Sequence, residues 1–250
     1  MGHHGGYDGQ TALFRIDPST GETVDLLENT DISIDMLLGA VGPKFVLIQF
    51  EQETPPDNSE GFTSASTQQI VHWLFDPATG ALQQLASYDT PRGILDSHTA
   101  EILEGTYYQV DWTAGTASTL DPETGEAHRF AENIPTEYRD GHHWIDDKVG
   151  DWLVFSYPMA MINVKTGEVR ERPALPDNYW NGGGHQPRIY LNLGDTLLVD
   201  CRYEPYTRTD MGPDGVPMTV ETSQGYLGLI SAEDFLNGVP NYTEVGVIAG

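Results

Sequence analysis

Short apolar runs separated by turn-forming residues fill this chain, and no stretch sustains the period of an amphipathic helix. Runs such as Leu13–Ile16, Lys44–Phe50, Thr106–Trp112, Asp151–Tyr157 and Thr196–Cys201 are rich in β-branched and aromatic residues, which predicts strands. Four of the intervening segments share one pattern: Asp17-Pro18-Ser19-Thr20-Gly21, Asp76-Pro77-Ala78-Thr79-Gly80, Asp121-Pro122-Glu123-Thr124-Gly125 and Asn163-Val164-Lys165-Thr166-Gly167. Asp or Asn caps a turn with its side chain, Pro presets φ, and Gly takes positive φ, so each segment predicts a hairpin.

The hairpin glycines are 59, 45 and 42 residues apart. Spacing near 45 is that of a four-stranded propeller blade, and the longer step is a blade with an insertion. A second series, Gly42, Gly105, Gly150 and Gly194, alternates with the first, and each member precedes a strand-like run. With strands named a to d outward from the axis, the second series marks the a–b turn and the first the c–d turn. The expected fold is an all-β propeller of four-stranded antiparallel blades, with residues 1–6 as a tail and 7–250 as one domain. Complete blades fall at about 31–87, 88–134, 135–176 and 177–248, and residues 7–28 supply a c–d half blade. Outer strands at both ends point to a piece of a larger propeller, or to unusual closure.

The D-P-x-T-G hairpins resemble bacterial β-propeller repeats of the TolB-like and quinoprotein-like group. The resemblance implies the propeller fold, and an exported bacterial protein, extracellular or at the cell envelope with its signal absent here, is the matching expectation. Quinoprotein repeats carry a Trp soon after the turn that is absent here, so a quinone is not implied.

Charge narrows the partners. Twelve Lys and Arg against 38 Asp and Glu give a net charge of -26, so no basic patch serves nucleic acid or an anionic membrane. No run reaches the length of a membrane span. The one cysteine, Cys201, can form no intrachain disulfide and reads as a buried, inert thiol. Asp210–Gly215 lacks the pattern of an EF-hand loop, and G-x-S-x-G, P-loop and paired-cysteine motifs are absent.

Chain direction places the b–c loops and d–a linkers on one face, the top. Two long b–c segments, Glu51–Ser66 and Glu204–Ser223, rich in Pro, Asp, Ser and Thr, read as top-face loops. His98 and His143 lie seven residues before their a–b glycines and His185 nine before its own. With period-two alternation these imidazoles share a side near the top of the innermost strand. Such a set suits Zn, Mn or Fe, with Gln186, Asp96 or Asp140 nearby. Tyr138, Arg139, Tyr179 and Trp180 in the linkers, with Trp112, offer flat apolar faces with polar edges, suited to a sugar ring or a peptide.

The leading expectation is therefore a noncatalytic binding or scaffold propeller that takes a carbohydrate, peptide or protein on its top face and needs no cofactor. The alternative is a metal-assisted polysaccharide lyase or hydrolase centred on His98, His143 and His185, holding a divalent metal.

Overall fold

The structure is a computed structural model that describes residues 13–28, 30, 32–52, 67–91, 98–138, 144–156, 159–173, 187–213 and 215–248. The chain divides into two compact units, Met1–His142 and His143–Gly250.

The first unit begins with a two-stranded hairpin, β1 (Phe14–Ile16) and β2 (Thr23–Asp25). A first four-stranded sheet follows: β3 (Met36–Val41), β4 (Lys44–Gln52), β5 (Thr67–Asp76) and β6 (Ala81–Pro91). The second sheet comprises β7 (His98–Leu103), β8 (Thr106–Asp111), β9 (Thr116–Leu120) and β10 (Ala127–Ala131). In the second unit the third sheet holds β11 (Ile145–Val149), β12 (Trp152–Phe155), β13 (Ala160–Asn163) and β14 (Val169–Glu171). The fourth holds β15 (Ile189–Asn192), β16 (Thr196–Met211), β17 (Pro217–Ser231) and β18 (Thr243–Val247), with helix α1 (Ala232–Asn237) between the last two. Every sheet is an antiparallel meander in chain order. Within each unit the first strands of the two sheets are neighbours, β3 with β7 and β11 with β15. This is the all-β, four-stranded blade architecture of a β-propeller.

The turn motif has a definite geometry. Asp17, Asp76, Asp121 and Asn163 each accept, through Oδ1, the amide two residues on, at 2.7, 2.8, 2.8 and 2.9 Å. The glycine amide donates to the carbonyl of the same Asp or Asn at 2.7–2.9 Å, and the glycines have φ of 72–75°. Each Thr hydroxyl accepts the amide beyond the glycine at 3.2–3.3 Å. These contacts hold the Asp17, Asp76 and Asp121 carboxyls below their ordinary range, led by the Ser19 hydroxyl, the Ala78 amide and the Thr124 amide respectively. The fourth turn closes alike with Val164 in place of Pro, so the Asx cap, the Thr and the Gly carry the geometry.

Gly125→Val is expected to cost about 1–3 kcal/mol, because a β-branched residue resists φ of +75°. Its Cβ would also meet the Gln83 amide at 2.2 Å, whereas Gly80 has the same φ with open space around it. Thermal midpoints of the two Val variants check this: Gly125→Val should fall at least as far as Gly80→Val, and an unchanged midpoint for either refutes the strain.

Within each unit apolar cores lie between neighbouring sheets. Val41, Val46 and Leu74 of the first sheet meet Tyr107 and Leu120 of the second. Leu47 and Phe75, on the opposite face of the first sheet, meet Leu27 and Ile34 from the hairpin and its exit. In the second unit Val149, Val154 and Met161 pack on Leu197, Val199, Ile230 and Phe235. Two arginines fasten that interface: Arg170 lies 4.1 Å over the Trp152 ring and donates to the Leu236 carbonyl, and Arg172 is fully enclosed.

Two sequence expectations change. Glu204–Ser223 is no loop: β16 and β17 pair from Thr196↔Ser231 to Met211↔Pro217 with one bulge between Asp200 and Arg202, and every residue from Glu204 to Met211 has a partner in Pro217–Gln224. Thr207, Thr209, Thr219, Val220 and Thr222 favour a pleated ribbon, which outweighs the loop-like share of Pro, Asp and Ser. The ribbon runs about 25 Å beyond the blade, and its base is fixed by Arg202, which stacks on Tyr226 and bonds Glu204 and Glu244. The other expected loop, Glu51–Ser66, starts inside β4, and residues 53–66 lie outside the described set. The first sheet also runs on to Pro91, past the boundary near 87.

Candidate functional site

His98 opens β7, and its ring is turned toward the first sheet. It lies on the side of β7 that carries Ala100 and Ile102, which pack against that sheet. The imidazole stacks on Tyr88 of β6, with centroids 3.8 Å apart and planes 16° apart. Its Nε2 lies 3.3 Å from Asp111 Oδ2, directly across the β7–β8 ladder. Burial lowers the His98 pKa, while Asp111 opposes that shift.

Asp111 is held in place by its own turn. Its Oδ1 accepts the Ala114 amide at 2.7 Å, and its carbonyl accepts the Gly115 amide at 2.8 Å, with Gly115 at φ 69°. The glycine-to-Asp closure is that of the c–d turns, used here at the b–c end of the blade, with the side-chain bond reaching the third residue rather than the second. The D-x-x-x-G spacing of Asp111 and Gly115 was the signal, and the absence of Pro and Thr at the familiar places concealed it.

Behind the stack lies a histidine that motif reading passed over. His72 of β5 is 2% exposed. Its Nδ1 lies 2.7 Å from the Tyr107 hydroxyl and its Nε2 3.2 Å from the Tyr88 hydroxyl. A neutral ring satisfies both phenols, donating to one and accepting from the other. Burial, with a smaller repulsion from His98, pulls its pKa down from 6.5 to about 4. Burial likewise raises the Tyr107 phenol. Tyr107, His72, Tyr88, His98 and Asp111 thus form a polar line between the first two sheets, open to solvent at its His98–Asp111 end, where side-chain exposure is 14% and 31%.

The other expected site residues are placed as follows. Trp112 is 1% exposed and donates its indole N–H to Thr99 Oγ1 at 2.9 Å, so its ring belongs to the packing of the second sheet. Tyr138 ends a short 3-10 turn, Thr136–Tyr138, and is half-buried. Arg139, His143, Tyr179, Trp180 and His185 lie outside the described residues, as do Asp96, Asp140 and Gln186. The innermost strands differ in regularity. β11 and β15 carry bulges at Asp146 and Tyr190, whereas β7 pairs without interruption. Each bulge shifts the side-to-side alternation within its own strand by one residue. Among the described residues no three His, Cys, Asp or Glu side chains converge as a metal-holding set.

The second unit presents exposed aromatics at the start of its inner strands. Trp144, just before β11, is 57% exposed. Tyr190, at the β15 bulge, is 43% exposed, with the Arg188 guanidinium 5.4 Å over its ring. Sequence reasoning does not single out Trp144, which lies beside the candidate His143 and outside the expected linker aromatics.

No family model and no curated protein matches the chain. Among solved structures it is similar to the periplasmic gluconolactonase PpgL of Pseudomonas aeruginosa, at 12% identity and a TM-score of 0.33. The match covers 95% of this chain and 78% of that one. A likeness this distant says nothing of activity. None of the described helices is long and apolar enough to cross a membrane.

Proposed function

We propose that the chain is a noncatalytic binding propeller of an exported bacterial protein, and that it takes a carbohydrate on the face where the a strands begin. The observation that carries this reading is that Trp144 and Tyr190, the latter under the Arg188 guanidinium, stand exposed at the starts of neighbouring inner strands. An indole face suits the C–H face of a sugar ring, and a guanidinium beside a phenol supplies hydrogen bonds to hydroxyls or a carboxylate. The imidazole nitrogens of His72 are committed to phenols and Nε2 of His98 to Asp111, which supports a structural role for both rings.

Trp144→Ala combined with Tyr190→Ala should abolish retardation in native gels cast with soluble polysaccharides, leaving the melting temperature within about 2 °C of wild type. Equal retardation of wild type and variant across acidic and neutral polysaccharides would overturn the reading. The metal-assisted lyase or hydrolase remains the second reading, favoured by the half-buried His98–Asp111 pair alone. A stoichiometric divalent metal in dialysed protein, with new reducing or unsaturated sugar ends, would select it.

A further inference from the structure

We propose that this chain self-associates head to tail, the outer face of the β1–β2 hairpin of one copy packing on the free face of the fourth sheet of another. The cores between sheets supply the rule. In the first unit, the residue five before the c–d glycine faces the preceding sheet: Leu120 is buried among Val41, Val46 and Leu74 of the first sheet, and Phe75 among Leu27 and Ile34. The equivalent residue of the hairpin is Ile16, five before Gly21, and it is 62% exposed. Phe14, on the same side of β1, is 56% exposed. Leu13 points the other way, into the core shared with the first sheet. The hairpin therefore has a forward face that is filled and a backward face that is not.

The fourth sheet is the converse. Leu197, Val199 and Ile230 fill the face toward the third sheet. The alternate residues, Leu191, Leu198 and Leu229, stand across from one another on the other face, since Leu198 pairs with both Leu191 and Leu229. Leu193 continues that row beyond β15. Leu191 and Leu193 are 48% and 61% exposed, and Leu198 and Leu229 are half-buried. One apolar face of each polarity is thus uncovered, and within the chain faces of opposite polarity are what pack together. The occupant that fits both is a second copy. Such a contact is heterologous, so a pair of copies retains one free face of each kind, the hairpin face on one copy and the leucine face on the other. Copies of net charge -26 repel, so association should strengthen as salt is raised.

The test is sedimentation velocity over a concentration series at moderate and high salt, with Ile16→Lys and Leu193→Lys. Both sites are exposed, so folding is checked by unchanged melting, and both changes lower the net negative charge, so lost association is not general repulsion. Wild type should gain mass with concentration. Each variant alone should remain monomeric. An equimolar mixture should show twofold mass, because the first variant keeps its leucine face and the second its hairpin face. A wild type that stays monomeric at about millimolar concentration overturns the proposal, whether another polypeptide or the chain's own closure covers Ile16. Variants that still associate, or a mixture that stays monomeric, overturn it equally.

Discussion

Arg172→Ala is expected to lower the stability of the second unit by about 3–5 kcal/mol, the usual cost of removing one partner from a buried charged network. Arg172 is 2% exposed. It follows β14, donates from Nη1 to Asp146 Oδ2 at 2.7 Å and to the Phe155 carbonyl at 3.2 Å, and from Nη2 to the Pro187 carbonyl. Its guanidinium carbon lies 5.2 Å from the Phe235 ring centroid. One planar fork therefore joins the third sheet to the approach to the fourth and to its helix. Alanine would leave a carboxylate and two carbonyls without that donor and a cavity beside Phe235. Lysine should recover less than half the loss, because one ammonium cannot reproduce the fork. Urea unfolding of the three proteins decides the matter, and an alanine variant within about 1 kcal/mol of wild type would remove Arg172 from this role.

Acidification should weaken the first unit through His72. Its pKa is 6.5 in the unfolded chain and about 4 in the fold, so the unfolded state binds the extra proton first. The contribution of a neutral His72 is complete above the unfolded value. It is lost as pH falls from there toward the folded value, and below that no further loss follows. Between about pH 7 and about pH 4.5 the loss amounts to roughly 2–3 kcal/mol. Neutralisation of the acidic surface acts in the opposite direction, so the informative quantity is the difference from His72→Gln. Glutamine still has a donor and an acceptor for Tyr107 and Tyr88 but does not titrate. Wild type should lose this amount relative to the variant across that window. Parallel stability curves for the two proteins would show that His72 does not titrate as its burial demands.

The blade repeat was legible because it is written in local chemistry. An Asx cap, a Thr just before the glycine and a glycine at positive φ close each c–d turn within five residues, with no distant contact needed. The a–b glycines were legible on the same ground, with φ of 57–87°. The Asp111 turn uses the same spacing and was overlooked only because its intervening residues differ. The β16–β17 ribbon was read as a loop because its Pro, Asp and Ser content obscured a run of β-branched residues on both strands.

The polar line from His98 to Tyr107 had no comparable signal. His72, Tyr88, Tyr107 and Asp111 come from three strands of two sheets, and each contact depends on how those sheets face one another. The bulges had the same standing, since one extra residue at Asp146 or Tyr190 changes which side of a strand its neighbours occupy without altering the pattern of residue types. By itself the sequence determined the strand order, the turns and the half blade, because these follow from backbone preferences within a few residues of each glycine. Tertiary structure alone decided which histidine is buried neutral, that Trp112 packs inward while Trp144 stands exposed, and that Arg172 bridges two sheets, because burial and partner geometry belong to the packing between sheets rather than to any segment.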